Sequence, residues 1–144
     1  MEKWVNTLIE TNDWGVGMTH GLTYGYDAFR NPQRLWDHLD QVKARENEIW
    51  VGTFREVVSY IKEREETKLE VVNKKNTLLI TPELKLDQEL FVEPLTMVIT
   101  GKEIKKVTVK QGKRRLPVQI TDDKVLFDFD PYGGMIKVTL KIQK

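Results

Sequence analysis

The stretch KEREETK, residues 62–68, separates two kinds of sequence. It holds only charged residues and one threonine, with neither glycine nor proline, so it reads as the end of a helix running into the next element rather than as a flexible linker. Upstream of it apolar residues recur at helical spacing, and downstream they recur every second residue. The expected class is therefore α+β, with residues 1–66 forming one unit and residues 67–144 another.

In the upstream unit, Trp4, Val5, Leu8 and Ile9 make one helical apolar face, and Leu35, Trp36, Leu39 and Val42 make a second. Asn31 is suited to cap the second helix, with Pro32 at its first position, where the missing N–H costs nothing. His38 lies about 100° or more from the mean of Leu35, Leu39 and Val42 and is expected to face solvent. A third helix opens at TFREVVSYIKERE, where Thr53 and Glu56 have capping-box spacing and Phe54, Val57, Val58 and Ile61 supply the buried face. Trp36, Trp50 and Phe54 fall on apolar faces and are expected in a core. Between the helices sit GVGM, residues 15–18, and IWVG, residues 49–52. Helix, strand, helix, strand, helix is the order of an α/β layer with parallel strands. Two parallel strands need neighbours to pair their backbones and cover both faces. Residues 1–66 should thus either pack on another copy of the chain or be the tail of a larger α/β domain.

Downstream, LTMVIT, KKVTVKQ, RLPVQI, KVLFDFD and MIKVTLKI alternate apolar with polar residues or run apolar. Turn signals fall at Asn73–Asn76, Gln111–Gly112, Asp122–Asp123 and Pro131–Gly134. Seven or so short strands in this length suit a small antiparallel β-sandwich of Ig-like type. Charge divides along the same line: residues 1–66 are net −4 and residues 67–144 net +5, returning the overall +1.

That small overall charge gives no bulk pull toward nucleic acid or a membrane surface, and neither is expected as a partner. No window approaches the ~18 apolar residues of a membrane span. With no cysteine, disulfide frameworks and thiolate metal sites are excluded.

Residues that could carry chemistry cluster in WGVGMTHGLTYGYD, residues 14–27. His20, at the end of an apolar run, is open to three readings: catalytic acid or base, metal ligand, or packed side chain. Tyr24 and Tyr26 could stack on a sugar ring, and turn chemistry with ordinary packing accounts for them as well. KQGKRR, residues 110–115, is most simply a solvated hairpin tip. Asp128 and Asp130 in DFDPYGG lack a spaced third ligand for calcium, so a turn between strands is the better account.

The order WGVGMTHG, helix, IWVGTFREVVSYIKERE resembles the C-terminal end of polysaccharide deacetylases of the NodB-homology type, carbohydrate esterase family 4, in the Bacteroides-type versions with an appended β-sandwich. Val16, Met18 and His20 sit in the spacing of that family's last motif, I-x-L-x-H. The resemblance covers most of residues 1–66, and the segment from about 68 onward resembles the accessory domain. It implies that residues 1–66 are a partial (β/α)-barrel remnant and that the reaction is metal-assisted hydrolysis of acetyl groups on an acetylated glycan. It also implies His20 as general acid toward the leaving amine, Met18 in the acetyl pocket, zinc as the usual metal, and an extracytoplasmic location for the full-length protein. The family's T-F-D-D and H-x-x-x-H motifs are absent from this sequence, whose histidines are His20 and His38. No metal ligand is therefore assigned here, and the chain alone should not hydrolyse anything by the family mechanism. The implied partners are the glycan and a missing N-terminal deacetylase portion, or self-association. The alternative is a non-catalytic β-sandwich module that binds carbohydrate or protein.

Overall fold

A computed structural model describes residues 2–26, 28–101, 104–121 and 123–142. Its three helices are α1 (Glu2–Thr11), α2 (Gln33–Lys43) and α3 (Phe54–Glu66). The strands are β1 (Lys68–Lys74), β2 (Thr77–Glu83), β3 (Leu95–Thr100), β4 (Ile104–Gln111), β5 (Arg114–Leu116), β6 (Gln119–Ile120), β7 (Lys124–Phe129) and β8 (Ile136–Ile142). The protein is α+β, with two antiparallel sheets. One has the order β1-β2-β8-β4-β5 and the other β3-β7-β6.

The chain divides into two units, residues 1–54 and 55–144. The division expected at residues 66/67 thus falls a helix earlier, because α3 packs with the sheets. Val57, Ser59 and Glu63 are buried on it, and Tyr60 lies against the sheet core. Phe54 and Val58, expected on the buried face, are exposed instead. The join has the expected form, since Thr67 alone separates α3 from β1.

In the 55–144 unit, alternation decides which side chains are buried. Ile80, Val107, Val109, Leu116, Ile136 and Val138 come from the five-stranded sheet and meet Leu95, Val125, Phe127 and Phe129 from the other. Successive strand residues point to opposite faces, so Val138, paired with both Leu78 and Val109, stays on the core side across three strands. Tight turns set the registers. Lys74 pairs with Thr77 across a two-residue loop in which Lys75 takes φ 51. Gln111 pairs with Arg114 across Gly112–Lys113, with Gly112 at φ 55, the left-handed conformation that two-residue hairpins demand. RLPVQI is not one strand. It breaks at Pro117, which lacks a ladder donor, and its halves join different sheets as β5 and β6.

In the 1–54 unit, α1 ends in a Schellman motif. Asn12 is left-handed at φ 54, its N–H donates to the Ile9 carbonyl, and the Asp13 N–H donates to the Leu8 carbonyl at 3.0 Å. The α2 start follows expectation: the Gln33 N–H donates to Asn31 Oδ1 at 3.0 Å, and Pro32 is helical. Arg45 donates to Asn6 Oδ1 at 2.6 Å and pairs with Glu48 at 3.1 Å. The expected parallel strands at 15–18 and 49–52 do not form, and the described residues of this unit contain no ladder. No described residue of this unit is buried, and Trp36, Trp50 and Phe54, expected in a core, are about half exposed or more. Two short runs without neighbouring strands do not make a stable parallel sheet.

Candidate functional site

His20 stands in the loop between α1 and α2, and the loop is held by its own backbone rather than by packing. The Thr19 hydroxyl donates to the Gly21 carbonyl at 2.9 Å, and the Gly21 N–H reaches back to the same hydroxyl. A Cβ on Gly21 would lie 2.2 Å from the Tyr24 carbonyl oxygen, so the turn closes only around glycine. Gly25, at φ 117, completes it.

The loop brings His20 and Tyr26 together edge to face, with ring centroids 6.0 Å apart. Tyr24 is 88% exposed and Tyr26 79%. Met18, which the resemblance places in an acetyl pocket, is 83% exposed. Of the residues singled out in the sequence, the structure places His20 against Tyr26, while Tyr24 and Met18 are exposed. His38, expected at the solvent face, is half-buried with Leu35 and Val42, and its Nδ1 is buried without a partner. Trp36 and Leu39 take the outer face instead. Which face of an amphipathic helix turns inward depends on what covers it, and little covers α2.

Among the described residues, the donor set does not fit a zinc site. Among the described residues, no three His, Asp or Glu side chains are grouped to hold a metal ion. Asp128 accepts from the Thr96 hydroxyl at 2.6 Å, and Asp130 accepts the Tyr132 N–H at 2.8 Å, so both are engaged in strand and turn bonds.

Sequence reasoning missed a buried polar group in the 55–144 unit. Glu63, from the charged join, is fully buried. Its Oε1 accepts the Glu93 N–H at 3.0 Å, and its Oε2 has no partner. Burial pushes its carboxyl above the usual range, and the charges of Glu93 and Asp130 add to the push. The connection between β2 and β3 is fastened here at three points. Besides Glu63 to Glu93, Lys62 Nζ lies 5.2 Å from the centre of the Phe91 ring, and the Tyr132 hydroxyl donates to the Leu86 carbonyl at 3.1 Å. Burial raises Tyr132 as well, helped by Glu63, Asp87 and Asp130. Nothing in a run of seven polar residues signals which one will be buried. Beside this region, a cavity of about 310 Å³ is lined by Lys62, Glu66, Lys68, Glu83, Lys85 and Leu86, with Lys85 paired to Glu83 at 3.1 Å.

No protein-family model, curated protein or solved structure matches this chain.

Proposed function

We propose that the chain is the C-terminal portion of a polysaccharide deacetylase, contributing His20 and Met18 to a site that an N-terminal portion, on the same or another chain, completes. In this reading residues 1–66 belong to a (β/α)-barrel remnant and residues 67–144 form an Ig-like accessory sandwich. One observation carries it: an exposed histidine held on a glycine-braced loop, two residues after Met18 and edge-on to Tyr26. Hydrolysis of an N-acetyl group adds water to the acetyl carbonyl and expels an amine, which leaves readily only when protonated. A histidine suits that transfer because it changes charge between about pH 5 and 8. The metal ligands come from the completing portion, so the isolated chain is inactive. A non-catalytic glycan-binding role is the second reading, favoured by the exposed faces of Tyr24 and Tyr26.

Acetate release from a panel of acetylated oligosaccharides tests the proposal. The isolated chain should release none. In the completed protein, His20→Ala should lower kcat by about 10²–10⁴-fold, the usual contribution of a general acid, with the melting temperature unchanged. Unchanged turnover would remove the assignment.

A further inference from the structure

The two sheets end on β1 and β5 and on β3 and β6, and these edges are not alike. β5 has three residues and stops before Pro117, and β6 has two residues. Short edges beside a proline resist pairing with another chain. β1 and β3 are longer. β3, LTMVIT, carries no charged side chain, whereas β1, KLEVVNK, holds Lys68, Glu70 and Lys74, and all seven of its residues are exposed.

The hydrogen bonds of the sheet fix which groups of β1 face outward. The Leu140 N–H donates to the Asn76 carbonyl at 2.8 Å, so Asn76 turns its backbone toward β8 and Thr77, the next residue, turns its own toward β1. Thr77 pairs with Lys74, and alternation then commits Lys68, Glu70, Val72 and Lys74 to β2. Leu69, Val71 and Asn73 point their N–H and C=O groups away from the sheet, where no described residue pairs with them. Their side chains lie on the core face, because Val71 pairs with buried Ile80 and Leu69 with buried Pro82. Yet Leu69 is 43% and Val71 55% exposed, so the apolar row of that face runs on past its last covered strand.

We infer that β1 is a homodimer contact: two copies of this chain join antiparallel, edge to edge, about a twofold axis at Val72, and the five-stranded sheet continues from one into the other. A second copy is the fitting partner because β1 is self-complementary in this register. Val71 lies opposite Asn73 of the copy, the two exchange their outward backbone bonds, and the symmetry repeats the pair. On the outer face Val72 meets its own counterpart at the short spacing of a non-hydrogen-bonded pair, and Glu70 lies opposite Lys74 of the copy on both sides of the axis. Neighbouring registers fail. An axis at Val71 sets Lys68 against Lys74 of the copy, and one at Glu70 sets that carboxylate against itself. An axis at Leu69 drives Glu66, the end of α3, into the ladder, and one at Asn73 leaves Val71 opposite Lys75 in the turn. The contact stands independently of the deacetylase reading.

Sedimentation velocity on the whole chain from about 1 µM to 1 mM tests this, and the protein should dimerise reversibly within that range. Val71→Pro deletes an outward N–H while leaving every bond to β2 in place, and should raise the dissociation constant by at least about 10-fold. Circular dichroism and the melting temperature show whether that variant folds. Glu70→Lys should raise the constant by about 5-fold or more, and Glu70→Lys combined with Lys74→Glu should return it to within about 2-fold of the native value. Both of these positions are exposed, so the charge pair decides the matter even if the proline variant unfolds. A chain that stays monomeric to about 1 mM would overturn the inference. So would a dimer indifferent to Glu70→Lys, or one that the double substitution does not restore.

Discussion

Residues 1–54 and 55–144 both contain apolar residues in regular patterns, and they bury them very differently. In the larger unit Val109, Val125, Ile136 and Val138 are at zero exposure, while the smaller unit, with all four tryptophans, buries no described residue. The distinction lies in how each unit finds backbone partners. Antiparallel strands close through two-residue turns such as Lys75–Asn76 and Gly112–Lys113, so the 55–144 unit assembles its sheets from its own neighbours. Parallel strands need further strands on either side, and the described residues of the 1–54 unit form none. Hydrophobic residues stabilise a fold only where the backbone brings other apolar atoms to them.

Substitutions can sharpen or break this contrast, and the largest effect belongs to the sheet core. Ile136→Ala removes a fully buried side chain and should cost about 2–5 kcal/mol in urea unfolding. A loss below about 1 kcal/mol would mean that this core is not what holds the unit together.

Next comes Gln111, whose amide donates to the Asp130 carbonyl at 2.7 Å and the Gly134 carbonyl at 3.2 Å, and accepts the Asp130 N–H at 3.1 Å. Gln111→Leu fills the space but strands those groups, and should cost about 1–3 kcal/mol. Gly133 is tied to the same brace, since a Cβ there would lie 2.6 Å from Gln111 Nε2.

The effect of Glu63→Gln depends on pH. A carboxyl raised by burial favours the folded state while it is protonated. That contribution is fully present below the ordinary carboxylate value and is lost as pH rises through the raised one. Melting temperature against pH should therefore fall with rising pH in the native protein and run flatter in the variant, with the two curves converging in acid. Parallel curves would show that Glu63 does not titrate between the folded and unfolded states.

The smallest effect is expected in the other unit. Trp36→Ala, about half exposed, should move the unfolding midpoint of the 55–144 unit by less than about 0.5 kcal/mol. A larger shift would show that the two units share their stability.

Of the candidate residues, the nearness of His20 to Tyr26 was legible because both belong to one short loop, where Gly21 and Gly25 hold the chain in a turn. The exposure of Met18 was not legible, because burial depends on chain that is distant in sequence. His38 misled for a related reason: the face it lies on is defined by hydrophobicity in the sequence and by coverage in the fold.

By itself the sequence determined the period change at KEREETK, the cap at Asn31, the hairpin turns, and most strands of the 55–144 unit, since each depends on residues within a few positions of one another. Only the tertiary structure decided that α3 belongs with the sheets and that RLPVQI divides between them. It alone selected Glu63 from a charged run for burial, and left 15–18 and 49–52 without ladders. Each of these depends on partners distant in sequence. Local propensity describes what a segment is able to form, and burial is decided by what else is there to cover it.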